Sequence, residues 1–76
     1  MGKMETVKKI GINTEYITLG QLLKFADIVD GGGAAKFYLQ ENEVLVNGEP
    51  DNRRGRKLRP GDVVELDEGR FEIIEK

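Results

Sequence analysis

Five cations crowd into seven positions: Arg53, Arg54, Arg56, Lys57 and Arg59 occupy the stretch 53–59, which holds no acid. A guanidinium is a planar fork of donors suited to phosphate oxygens, and a lysine ammonium adds a mobile point charge. Gly55 gives the run local backbone freedom. Such a segment can follow a curved polyanion. The rest of the chain carries seven bases against fourteen acids, a balance of −7, so the net charge is −2. A field segregated in this way steers a polyanion onto one face, while acids elsewhere discourage unspecific adhesion. The bland alternative is a solvated, charged loop.

Catalytic chemistry finds little here. The chain has no cysteine and no histidine. Disulfides, Cys/His zinc sites and the familiar Ser-His and Cys-His arrangements are therefore excluded. Asp27 and Asp30 are near neighbours, as are Asp67 and Glu68, but carboxylates on turns of a small domain fit caps and solvated loops. The expectation is a protein that is not an enzyme and needs no cofactor, metal or small-molecule substrate.

Two further features could touch a ligand. Gly31-Gly32-Gly33 precedes a helical pattern, and amides at a helix N-terminus bind phosphate without side chains. The alternative, which is preferred, is a tight turn that needs glycine only for its geometry. No Gly-Lys-Ser/Thr follows, so a Walker motif is excluded. Phe37 lies about 160° around the helix from Ala35, at about 100° per residue. It therefore faces away from the apolar stripe. It either stacks on an unpaired base or is covered by the N-terminal β segment or the last strand. Covering is the expected reading.

The elements that position these residues are legible from periodicity. Residues 3–10 and 15–17 read as extended, with a turn over Gly11 to Thr14. Thr18 is a helix N-cap, and Leu19, Leu22, Leu23 and Ala26 form one buried stripe that ends near Asp27. A second helix begins about Gly33, capped by Asp30 or Gly31, with Ala35, Tyr38 and Leu39 inward and Asn42 as a left-handed stop. The period then becomes two. Val44 and Val46 share a face before Asn47-Gly48, a hairpin signal. Pro60-Gly61-Asp62 is a turn. Val63, Val64 and Leu66 form a strand, Glu68-Gly69 turns, and Phe71, Ile73 and Ile74 form a last strand. The fold class is α+β: two helices on a small, mainly antiparallel sheet.

At 76 residues this is a single domain with a modest core. No apolar run approaches the ~20 residues of a membrane span. Gly2 followed by Thr6 fits the loose N-myristoylation pattern, which is short enough to arise by chance. A cytoplasmic protein without membrane association is the plain expectation.

The order of helix, tight turn, helix, Val44-Leu45-Val46-Asn47-Gly48, basic loop and Pro60-Gly61-Asp62-Val63-Val64 resembles the S4 RNA-binding domain. Ala35 and the two valine blocks match that pattern's spacing, and Leu19 and Leu23 fall in register over about residues 17–66. Thr18-Leu19-Gly20-Gln21, Gly32-Gly33-Ala34-Ala35-Lys36 and the stretch Glu49 to Lys57 resemble small single-domain bacterial S4 proteins. The resemblance implies the S4 (alpha-L) fold with short β extensions at both termini. It implies an RNA-binding partner surface, with ribosomal RNA or ribosomal particles the leading class; a monomer is the plain expectation, though the sequence itself leaves oligomeric state open. It also makes Lys36 a candidate contact, against an ordinary surface lysine; Lys24 on the first helix is a weaker candidate. The chain departs from the pattern where Thr18-Leu19-Gly20 replaces Arg-Leu-Asp, Gly31-Gly32 replaces Ser-Arg, and Phe37 replaces a basic residue. More of the charge must then come from 53–59. The candidate RNA contacts are Arg53, Arg54, Arg56, Lys57, Arg59, Lys36, Gly32, Gly33 and Phe37. The competing class is a protein-interaction module that uses the basic loop and the terminal β edge.

Overall fold

Thr18 sets the first helix. Its backbone is extended (φ −92°, ψ 162°), and its Oγ1 accepts from the Gln21 N–H at 3.2 Å. Gln21 Oε1 in turn accepts from the Thr18 N–H at 2.9 Å, completing a capping box. Helix α1 (Leu19–Phe25) buries Leu19, Leu22 and Leu23. It ends in a Schellman motif: the Ile28 N–H donates to Leu23 O at 2.9 Å and the Asp27 N–H to Lys24 O at 3.0 Å. Asp27 takes the left-handed conformation there, with φ 62°.

The computed structural model describes residues 7–76. The Gly2–Thr6 pattern and the start of the first extended segment lie outside them. Helix α2 (Gly32–Glu41) starts from Gly31 and buries Ala35 and Leu39. The left-handed stop expected at Asn42 is not used. Asn42 is extended (φ −131°, ψ 145°). Its N–H and its Nδ2 both donate to Tyr38 O, at 2.9 and 3.1 Å. The side chain satisfies the helix end by itself, so the chain can pass straight into the strand region.

Seven strands follow the chain as β1 (Val7–Ile12), β2 (Ile17–Thr18), β3 (Leu45–Val46), β4 (Glu49–Pro50), β5 (Lys57–Leu58), β6 (Val63–Leu66) and β7 (Gly69–Glu75). They form a mixed five-stranded sheet in the order β1-β7-β6-β3-β4 and a separate ribbon of β2 and β5. The β1–β7 pair is parallel, and the other pairings are antiparallel. The expected turn at Gly11 is displaced. Strand β1 runs on through Gly11 to buried Ile12, because pairing with β7 continues to Ile12 and Glu75 and the Lys76 N–H donates to Ile12 O at 2.8 Å.

The turns are where the residue types put them. Asn47 (φ 52°) and Gly48 (φ 86°) link β3 to β4, as a type I′ turn requires. Gly61 (φ 101°) sits after Pro60, and the Asp62 N–H donates to Arg59 O at 2.9 Å, the signature of a type II turn. Between helices and sheet lies one apolar cluster. It joins Leu19, Leu22, Leu23, Ala35 and Leu39 to Val44, Val46, Leu58, Val64, Phe71 and Ile73. No helix among the described residues is long and apolar enough to cross a membrane.

Candidate nucleic-acid interface

The basic segment is anchored at three levels. Leu58 is fully buried, and it sets the segment's end through the Ile17–Leu58 and Thr18–Lys57 pairs. The first amides of a helix have no partner within the helix. Here the Leu19 N–H donates to Arg56 O at 2.8 Å and the Gly20 N–H to Arg54 O at 2.9 Å. The start of α1 thus grips the backbone of the loop. Glycine at position 20 allows that approach, since a Cβ there would lie 2.7 Å from Arg54 Cγ. The acidic residue that the S4 pattern places at this position would displace Arg54.

Side chains then divide the cations into groups. Asp51, whose side chain is only 7% exposed, accepts from Arg53 Nε (3.1 Å), Arg53 Nη2 (2.9 Å), the Arg53 N–H (2.9 Å) and Arg56 Nη1 (3.0 Å). The hydrogen bonds from the Arg53 side chain hold the Asp51 carboxyl far below the usual carboxylate range, outweighing the opposing effect of burial. The same contact holds the Arg53 guanidinium above its ordinary value. The Arg53 side chain remains 69% exposed and that of Arg56 32% exposed. One carboxylate therefore fixes two arginines while leaving them open to solvent. Arg54 swings to α2, where its Nη1 donates to Gly32 O at 3.1 Å. Lys57 Nζ and the Arg59 guanidinium lie 5.0 and 5.7 Å from the centroid of the Tyr16 ring.

A second carboxylate frames the other end. Asp62 Oδ2 accepts from the Arg59 N–H at 2.8 Å, and its Oδ1 accepts from Asn47 Nδ2 at 3.1 Å. Asn47 Oδ1 accepts from the Val63 N–H at 2.9 Å. The Asn47 turn and the Pro60-Gly61-Asp62 turn are thereby tied together. Arg53, Gly55, Arg56, Lys57, Arg59 and Asp62 line one open cleft of about 650 Å³. A neighbouring concavity of about 360 Å³ brings Lys24, Gly31 and Gly32 beside Arg54 and Gly55.

Lys36 and Phe37 stand apart, outward on α2. Phe37 is 68% exposed, so among the described residues neither the N-terminal β segment nor the last strand covers it as expected. The described part of the N-terminal segment is instead used as β1, paired with β7 at the edge of the sheet. The glycines correct another expectation. None of Gly31, Gly32 and Gly33 has a left-handed backbone, and a Cβ on Gly31 or Gly33 would meet nothing within 4 Å. The turn does not need three glycines for its geometry. They leave the start of α2 bare of side chains, and no side chain caps it.

Four participants escaped sequence reasoning: Asp51, Asp62, Tyr16 and Gly20. Asp51 had a local signal, because an aspartate two residues before an N–H favours an Asx turn. Tyr16 had none, since its cations come from the far side of both helices in sequence. Among the described residues there is no cluster of three or more His, Cys, Asp or Glu able to hold a metal.

Comparison with known proteins bears on this arrangement. A family model described as S4 domain matches residues 10–74. The chain is 62% identical over 66 residues to the "Probable ribosome maturation protein RlbA" of Bacillus subtilis (strain 168). That stretch is 86% of this chain and 93% of the relative.

Proposed function

This chain belongs to the S4 domain family, and on that premise we propose that it is a non-catalytic, cytoplasmic RNA-binding protein acting in ribosome assembly or maintenance. Its partner is structured RNA, with ribosomal RNA the leading class. The two helices and the sheet take the S4 (alpha-L) arrangement, and residues 1–76 act as one domain and as a monomer. The observation that carries this reading is the cleft in which Arg53, Arg56, Lys57 and Arg59 converge, with its backbone held by the N-terminus of α1. The similarity to a ribosome maturation protein points the same way.

The division of labour follows from the geometry. Arg53 and Arg56, spaced by Asp51, meet phosphates as fixed forks. Lys57 and Arg59 extend the positive surface, and Arg54 and Lys36 add charge toward α2. The bare amides of Gly32 and Gly33 accept a close phosphate approach, and outward Phe37 offers a ring to an unpaired base. A-form RNA hides its major groove, so such a surface reads shape, 2′-hydroxyls and unpaired bases.

Binding to ribosomal RNA should depend steeply on salt. Each contact removed flattens the log–log slope by about 0.7–0.9. The quadruple Arg→Ala variant at 53, 54, 56 and 59 should therefore flatten it by roughly 3. Because that variant leaves Asp51 unpaired, circular dichroism must show it folded. A second variant, Arg54→Ala with Lys57→Ala, leaves the partners of Asp51 in place and should lose roughly half as much. Parental binding by both variants would overturn the proposal. Partners that survive complete RNA digestion would point instead to protein docking.

A further inference from the structure

Tyr16 belongs to two surfaces. Its ring carries Lys57 and Arg59 of the basic cleft, and it also lines a groove of about 580 Å³ between β1 and α1. Phe25, the last residue of α1, lines the same groove and is 56% exposed, while Tyr16 is 36% exposed. Two aromatic rings thus stand open to water in one depression. The charged side chains that line it are Lys9 and Lys76, in a chain with more acids than bases. Gln21, also in the lining, spends its Oε1 on the cap of α1 and keeps its amide NH₂ as a donor.

We propose that this groove receives an unpaired nucleotide of the same RNA that docks on residues 53–59, with its base against Phe25 and Tyr16. The inference rests on the RNA-binding reading above and extends it to a second site that shares Tyr16. Three observations select this occupant. Tyr16 lines the groove, and its ring lies 5.0 and 5.7 Å from Lys57 Nζ and the Arg59 guanidinium of the basic cleft, so the two sites adjoin at that residue. The ammonium groups of Lys9 and Lys76 in its lining are complementary to phosphate. Two aromatic rings line it, Phe25 more than half exposed, and these offer faces on which a base can stack. Stacking on an aromatic ring accepts any base, so the groove selects for single-stranded character more than for sequence. An A-form helix meets the cleft, and the groove then tests whether an unpaired nucleotide adjoins it.

The test compares a blunt RNA duplex with the same duplex carrying a short single-stranded oligouridine tail, each titrated with the full chain. The parent should bind the tailed duplex about tenfold more tightly, the effect of one stacked base. Phe25→Ala should remove this preference and leave blunt-duplex binding unchanged, and Phe25→Trp should keep it. Phe25 is more than half exposed, so the alanine variant should melt as the parent does. Equal binding of both duplexes by the parent would overturn the inference and leave the groove to a protein partner. An equal loss on both duplexes in Phe25→Ala would also overturn it, by making the residue a general support. Failure of the parent to bind either duplex would bring down the RNA-binding reading and this inference together.

Discussion

Asp51→Asn changes one atom's identity and should disturb both stability and the geometry of the basic cleft. The parent carboxylate accepts four hydrogen bonds, three from Arg53 and one from Arg56. The Arg53 side chain is largely exposed, so solvent screens its ion pair and the pair adds little. The Arg56 pair is half-buried and contributes about 0.5–1 kcal/mol. The bond from the backbone N–H of Arg53 adds about 1 kcal/mol. Part of that last bond survives in asparagine, but the new NH₂ then faces two guanidinium groups. The expected loss is about 2 kcal/mol, read as a fall in melting temperature of roughly 10 °C for a domain this small.

Acid gives a second signature of the same variant. The folded-state pKa of Asp51 is depressed, so its contribution is fully present above the unfolded value near 4. It is lost as pH falls from there toward the depressed folded value. The stability gap between parent and Asp51→Asn should therefore be constant near neutrality and close below about pH 4. Denaturant melts at several pH values measure it. A variant as stable as the parent at pH 7, or a gap that widens in acid, would refute the account of Asp51 as a clamp on two arginines.

Asn47 serves through both its backbone and its side chain. Asn47→Gly keeps the left-handed turn but loses the bonds to Val63 and Asp62, at a cost of about 1 kcal/mol. Asn47→Ala adds backbone strain at φ 52° and should cost about 2 kcal/mol, so urea midpoints should rank parent, glycine, alanine. Phe37→Ala should leave stability within about 0.5 kcal/mol of the parent, since the ring is 68% exposed. On an RNA with unpaired bases it should weaken binding by roughly 1–3 kcal/mol in a filter-binding assay, and undiminished binding would remove Phe37 from the interface.

Much of the scaffold was legible in the chain because its rules are local. Thr18 and Gln21 are three residues apart and close their own capping box. Asn47-Gly48 and Pro60-Gly61 carry the backbone angles their turns demand. Val44 and Val46 alternate inward, as expected for the start of a half-buried strand. The basic run was plain from composition, and so was the absence of Cys and His chemistry.

What the run does with its charge was decided by tertiary structure. Asp51 and Asp62 lie outside the segment in sequence yet frame it in space, and Tyr16 meets Lys57 and Arg59 only because β2 pairs with β5. The parallel return of β7 beside β1 likewise holds strand β1 at the sheet edge and leaves Phe37 uncovered. Capping and turn formation depend mostly on neighbours within a few residues, so residue order carries most of that signal; the turn expected at Gly11 moved because pairing with β7 carried β1 on to Ile12. Charge pairing, ring contacts and strand partners depend on which distant segments the core brings together, and spacing along the chain carries no record of that.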